Sequence, residues 1–234
     1  EQLGNSFLAA YDCKNGEQKW KCRRRGSTTS YSVPCVFQPE EGADQLIFHS
    51  TSHGASGIDP QTGKQLWSLD VFGKRCVSSP VVAGGLVFGT CGQGGGGDAV
   101  VAVQPAASGQ SARLAYQIEE SAPYVVTPVA HNDLLFVWSD RGIVSCVDVA
   151  NGHLHWRKRV EGNFSGSPVR VGEHLYCISE HGEVVVLDAS SDYRLVARND
   201  LGQPSRSTPA VWDGCMYLRT ESELMSLGNP TSSK

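Results

Sequence analysis

Residues 58–67 read IDPQTGKQLW, and the phrase returns as YDCKNGEQKW at 11–20 and as VDVANGHLHW at 147–156. Each time an Asp is followed four residues later by Gly, and four after that by Trp. The three sets are Asp12, Gly16 and Trp20; Asp59, Gly63 and Trp67; and Asp148, Gly152 and Trp156. Fixed ends around a free middle describe a turn between two strands. The short Asp carboxylate can accept from the turn's backbone amides. Gly supplies a positive φ without a Cβ clash. Trp, on the returning strand, offers a broad apolar plate to a neighbouring layer. These residues are read as a structural repeat signature, with no catalytic role assigned.

A second landmark keeps step with the first. Pro34, Pro80, Pro128, Pro168 and Pro209 are 46, 48, 40 and 41 residues apart, each preceded by Val, Ser or Thr. After each Pro come a short apolar segment (LIF, LVF, LLF, LY, MY), a turn, and another apolar run (SGID, AVVAV, VSCVDV, VVVLD, LMSL). Four short strands per period of this length form a β-propeller blade. The expected fold is therefore all-β: a propeller of four-stranded antiparallel blades, about five blades' worth, in a single domain spanning 1–234. The blades are expected at about 26–70, 71–120, 121–160 and 161–201, with partial blades at 1–25 and 202–234. Two strands at the start and three at the end would leave one strand too many on closure. A piece of a larger propeller, with an N-terminus cleaved or trimmed, is the expectation. An open array would expose strand edges and invite self-association. Two copies of the hairpin are degenerate. The stretch 103–117 is longer and carries Tyr116 in the Trp place, and 187–198 has Asp188 but puts Asp192, another residue that tolerates the left-handed region, where Gly would be.

Composition excludes several functions. Charged residues are 19% of 234 and the net charge is −4, so there is no electrostatic case for nucleic acid or anionic membrane. No apolar run reaches the ~18 residues of a membrane span. The eight cysteines, Cys13, Cys22, Cys35, Cys76, Cys91, Cys146, Cys177 and Cys215, form no C-x-x-C pair, so zinc and redox spacings are missing. They are expected to be mostly unbridged, buried thiols. No G-x-S-x-G elbow or H-E-x-x-H helix appears.

Three local patterns look functional in isolation. Gly92-x-Gly94-x-x-Gly97 matches a dinucleotide fingerprint formally, but a strand follows it instead of a helix, so it reads as a turn between strands two and three. An anion-binding nest is the alternative. His153 and His155 share a strand face, and His49 and His53 sit near another turn. With no third ligand at metal spacing, all four are expected at the surface, and no metal site is assigned. Lys19, Lys21, Arg23, Arg24 and Arg25 form a basic run at a blade boundary, read as a solvated connector.

The phrase Asp-x-x-[Thr/Asn]-Gly-x-x-x-Trp, followed by [Ser/Thr]-Pro-Val, resembles the pyrroloquinoline-quinone-like (quinoprotein-type) propeller repeat over almost the whole chain. SPVVAGGLVFGTCGQGGGGDAVVAV and STPAVWDGCMYLRTESELMSL are similar to bacterial propellers of this superfamily, including those like the outer-membrane-assembly lipoprotein. The resemblance implies a ring usually of about eight blades. It does not by itself imply a bound cofactor. The quinone-dependent dehydrogenases of the superfamily need Ca²⁺, a quinone floor and a base, and the alcohol-oxidising branch adds a Cys-Cys pair that this chain lacks. The expectation is a non-catalytic, exported or periplasmic scaffold without cofactor, binding a protein partner through blade loops or an exposed strand edge. The alternatives are a fragment of a pyrroloquinoline-quinone and calcium-dependent dehydrogenase, or a carbohydrate-binding propeller.

Overall fold

A computed structural model describes residues 2–106 and 111–228. Every named element in it is a strand. The residues fall into two compact units, 1–124 with 149–152, and 125–148 with 153–234.

The first unit holds three antiparallel sheets. β1 (Gly4–Tyr11) and β2 (Gln18–Gly26) form a two-stranded sheet. β3 (Cys35–Phe37), β4 (Gln45–Ser50), β5 (Gly54–Ile58) and β6 (Gln65–Leu69) form a four-stranded meander. So do β7 (Val81–Ala83), β8 (Leu86–Gln93), β9 (Gly96–Gln104) and β10 (Arg113–Ile118). Part of the long hairpin before Tyr116, residues 107–110, lies outside the described residues.

The second unit repeats the plan. One meander runs β11 (Val129–His131), β12 (Leu134–Trp138), β13 (Ile143–Asp148), β14 (Leu154–Arg159). The next runs β15 (Val169–Val171), β16 (His174–Ile178), β17 (Glu183–Asp188), β18 (Leu195–Asp200). A three-stranded sheet follows: β19 (Ala210–Trp212), β20 (Cys215–Arg219), β21 (Leu224–Gly228).

Burial explains the apolar runs. Val100–Val103 of β9, Val144–Val147 of β13 and Val184–Leu187 of β17 are buried on both faces. A central strand between stacked sheets has no solvent side, so it needs no alternation. In the first unit Ile47, Trp67, Phe72, Val87, Val101 and Val103 form one core. In the second, Phe136, Trp138, Trp156, Phe164, Leu175 and Leu187 form another.

The Ser/Thr-Pro landmark has a structural cause. The backbone N–H of the residue before one Pro donates to the side-chain hydroxyl before the next: Val33 to Ser79 (3.3 Å), Thr127 to Ser167 (3.0 Å) and Ser167 to Thr208 (2.9 Å). The hydroxyl thus satisfies an amide one sheet away.

Two expectations are corrected. The basic run is not a solvated connector; it lies within β2, so its side chains alternate between faces. Arg24 is buried and donates to Gln65 Oε1 and Ser56 Oγ, both at 2.9 Å. His49 is not at the surface. It sits on a central strand, 4% exposed, with its ring 4.9 Å from that of Phe72.

Candidate binding surface

The signature hairpins set what each sheet can present. Asp12 and Asp59 follow the third strand of their sheets. Asp12 Oδ1 accepts from Lys14 N, and Asp59 Oδ1 from Gln61 N, both at 2.8 Å. Asp59 Oδ2 also accepts from Thr62 Oγ1 at 2.7 Å. These donors hold both carboxyls below their ordinary pKa: the Lys14 amide first and Lys19 next for Asp12, and the Thr62 hydroxyl first, then the Gln61 amide, for Asp59. Asp148 Oδ1 lies 2.8 Å from His155 Nε2. Gly16, Gly63 and Gly152 have φ of 74°, 72° and 75°, in the left-handed region.

The Trp is aimed by a feature the sequence does not announce. In every third-to-fourth-strand pairing the register slips just before the turn, between Ala10 and Tyr11, Gly57 and Ile58, Leu114 and Tyr116, Cys146 and Val147, and Val186 and Leu187. Each slip leaves the residue before the Trp position bulged. Trp20, Trp67, Tyr116 and Trp156 thereby reach the next hairpin. Trp20 Nε1 donates to Pro60 O at 2.8 Å, Tyr116 OH to Val149 O at 2.6 Å, and Trp156 Nε1 to Ser190 O at 3.1 Å. Trp67 gets there through a relay: its Nε1 donates to Gln45 Oε1 at 2.6 Å, and Gln45 Nε2 donates to Ala106 O at 2.9 Å. A Cβ on Gly63 would stand 2.4 Å from the Trp20 ring, and one on Gly152 would stand 2.7 Å from the Tyr116 ring.

Asp192 does not occupy the Gly place. The Asp188 amide bonds to Arg194 O, whereas the Asp12, Asp59 and Asp148 amides bond to carbonyls one residue nearer in sequence. The hairpin is one residue longer, and Asp192 is not among the residues with positive φ. Trp156 meets the Tyr193 ring edge-on at 5.2 Å instead. Asp188 is ion-paired with Arg194 and lies 2.9 Å from His174 Nδ1, and Arg194, its first cause, keeps its pKa low.

The other end of each sheet carries the turn between strands two and three and the connectors between sheets. A second repeated device, missed in the sequence, closes that turn: the hydroxyls of Ser50, Ser139, Ser179 and Thr220 accept from the amides of His53, Ile143, Glu183 and Glu223 at 2.9–3.1 Å. The recurring SDRG (139–142) and SEHG (179–182) are its written form. The carboxylates after the serine tie down the preceding connector, Asp140 to Val125 N (2.8 Å) and Glu180 to Ser165 Oγ (2.5 Å).

Each unit has a cavity at this end. In the first unit one of about 350 Å³ is lined by Thr28, Thr51, Lys74, Arg75, Gln93 and Tyr124 among others. Lys74 Nζ is 2.7 Å from Asp98, and Arg75 stands 5.9 Å over the Tyr31 ring. In the second unit one of about 440 Å³ is lined by Glu161, Ser179, His181, Glu183, Arg198 and Asp200. The Gly-rich stretch is the β8–β9 hairpin. Gly94 and Gly95 both have positive φ, the pattern of a tight two-residue turn.

All eight cysteines are thiols: Cys13 is exposed, Cys22 and Cys35 are half-buried, and the other five are buried. The rings of His153 and His155 meet at 5.7 Å. Among the described residues no group of three His, Cys, Asp or Glu is placed to hold a metal ion, and no helix is long and apolar enough to cross a membrane.

The family described as outer membrane protein assembly factor BamB matches residues 3–158, 120–195 and 140–228. No curated protein matches the chain. Among solved structures, the crystal structure of BamB from Moraxella catarrhalis superposes with a TM-score of 0.66 at 14% identity, over 97% of this chain and 65% of that one. The chain spans 65% of that neighbour's length, and the likeness is one of fold, the β-propeller.

Proposed function

The chain belongs to the family of the outer membrane protein assembly factor BamB, and on that premise we propose that it is a non-catalytic propeller that binds other proteins as an assembly scaffold. The observation that carries this reading is the family match itself, which runs in overlapping stretches from residue 3 to residue 228. The chain's own chemistry supports it. The carboxylates that recur with the repeat are engaged in turns, as Asp12 and Asp59 are, or beside a neighbouring histidine, as Asp148 is. A scaffold needs displayed loops on a rigid frame. The connectors and second turns supply them, with Lys74, Arg75 and Tyr124 around one cavity and Glu161, Glu183 and Arg198 around the other. The setting that fits is the periplasmic side of an outer membrane, and the protein works without quinone or calcium.

Two experiments test this. Deleting the gene in its source cell is expected to lower the level of outer-membrane β-barrel proteins, and unchanged levels would overturn the scaffold reading. Adding pyrroloquinoline quinone with Ca²⁺ to the purified protein is expected to leave its melting temperature unchanged. A saturable rise would make it a cofactor-binding protein.

A further inference from the structure

Two cysteines of the first unit are aligned by a backbone bridge. The connector that leads into β7 runs antiparallel to the end of β8: Arg75 is bridged to Gly92, and the Gly92 amide donates to Arg75 O at 3.0 Å. One step along, the same register sets Cys76 opposite Cys91. The Cys76 carbonyl turns away from β8 and accepts from the Tyr31 amide at 2.9 Å, so no backbone hydrogen bond joins the two cysteines. Residues opposite one another in such a pair have Cα atoms about 4.5 Å apart and side chains on one face. A disulfide spans Cα separations of about 4.4–6.8 Å. Elsewhere in the strands, Cys22, Cys35, Cys146, Cys177 and Cys215 all face residues other than cysteine.

The two sulfurs also share a neighbour. Cys76 Sγ is 4.0 Å from Lys74 O, and Cys91 hydrogen-bonds to the backbone of the same residue. Both thiols are buried in one apolar core. The segment is clamped on either side of them. Before the pair, Lys74 Nζ is 2.7 Å from Asp98 and Lys74 O accepts from the Thr51 hydroxyl at 2.7 Å; after it, the Ser78 and Thr90 hydroxyls bond to each other.

We propose that Cys76 and Cys91 are a redox-sensitive pair, converted to a cross-link between connector and β8 by a small disulfide of the glutathione type. One cysteine attacks a sulfur of the oxidant as its thiolate and releases one small thiol. The other cysteine then displaces the second. One S–S bond breaks and one forms, the two protein thiols are oxidised, and their protons leave on the two small thiols. The new bond encloses residues 76–91, which hold β7 and most of β8, and it anchors Lys74 and Arg75 at the cavity they line. Burial pushes the Cys91 thiol above its ordinary pKa, so in the folded protein little of the attacking thiolate is present at neutral pH. Closure therefore runs fastest while the chain is still folding. The pair stands independently of the scaffold reading.

The test refolds the whole chain from urea and reductant into a mixture of reduced and oxidised glutathione, then quenches, denatures and alkylates it. Trypsin cuts after Arg75 and Arg113 with no Lys or Arg between them, so both sulfurs travel on one peptide, 76–113. In most molecules that peptide is expected to be two hydrogens lighter and to carry no alkyl group, while the other six cysteines are alkylated. The oxidised chain is expected to melt about 5–15 °C above the reduced one, because the bond restricts the unfolded chain. Cys91→Ala should melt at one temperature in both conditions. Alkyl groups or glutathione on the two cysteines of peptide 76–113 overturn the proposal. So does a bond that forms but lowers the melting temperature, which would mean that the native alignment does not accept it. An equal rise in Cys91→Ala overturns it too. Should that variant fail to refold, the peptide mass and the melting shift of the unsubstituted chain still decide.

Discussion

Replacing Gly63 by Ala isolates the contact on which the repeat turns. Two costs arise. The φ of +72° puts an L side chain in the left-handed region, at about 1–2 kcal/mol. The new Cβ also stands 2.4 and 2.6 Å from two atoms of the Trp20 ring, and such overpacking costs roughly 1–3 kcal/mol. Gly16 is the control. Its φ is +74°, yet nothing lies within 4 Å of its Cβ position, so Gly16→Ala carries only the backbone cost. The difference between the two variants is then the ring contact. In a Trp20→Ala background the penalty of Gly63→Ala should fall to that of Gly16→Ala, a coupling of about 1–3 kcal/mol in a double-mutant cycle. Urea unfolding gives the energies. Because the chain has two compact units, the transition of the first is read from labelling of Cys76 and Cys91, which are buried within it. Equal penalties for Gly63→Ala and Gly16→Ala, or a Gly63 penalty that survives removal of Trp20, would refute the claim that one sheet's indole fixes the next sheet's glycine.

Burial of His49 lowers its pKa to about 3. The unfolded chain, with an ordinary imidazole near 6.5, takes up the proton first, so stability falls as pH drops below about 6.5 and continues to fall to about 3. Between pH 7 and pH 5 the loss is about 2 kcal/mol, and His49→Leu should abolish that slope in urea midpoints; an identical slope in the variant would place the titration elsewhere. Arg24→Ala strands Gln65 and Ser56 and should cost about 2–4 kcal/mol, while Arg23→Ala, at an exposed side chain, should stay within about 0.5 kcal/mol; urea midpoints that rank them the other way would show that Arg24 is not the buried partner. Native Ellman titration should show one fast thiol, that of Cys13, and Cys13→Ser should remove it; a fast phase that persists would place a second thiol at the surface.

The strands and their grouping were legible because they depend on local pattern: apolar runs of one length, prolines at a fixed period, and a Gly where a hairpin closes. The contacts that give the pattern its meaning were not. Trp20 and Pro60 are 40 residues apart, and Trp156 and Ser190 are 34 apart. No window around one phrase contains the other. The bulge before each Trp leaves no residue preference behind it. In its place stand Lys19, Leu66, Ala115, His155 and Val196, which share only position. His49 and Arg24 were misplaced for a related reason. Both are polar letters in strands, and whether a strand has a solvent face depends on what stacks against it. The candidate surface is the least legible part, since connectors carry no period beyond the serine and acid that tie them down.

The degenerate copies show which parts of the phrase the geometry requires. Tyr116 replaces Trp yet keeps a polar tip in reach of Val149 O and a ring over Gly152. What is preserved is a flat ring with one donor. At the longer hairpin after Asp188 the Gly is lost, and Trp156 still reaches a carbonyl, that of Ser190, while its ring meets Tyr193. A hairpin can therefore give up its glycine when an extra residue makes room for the neighbour's ring. At Gly63 and Gly152 no such residue is present, and the glycine is held by two demands at once, its own positive φ and the ring lying on it. Each phrase is thus half of a contact whose other half lies in the adjoining hairpin. Substitutions in this protein should be tolerated in pairs more readily than singly, and the side chains free to change with a partner are those the pairing does not use, the connectors above all.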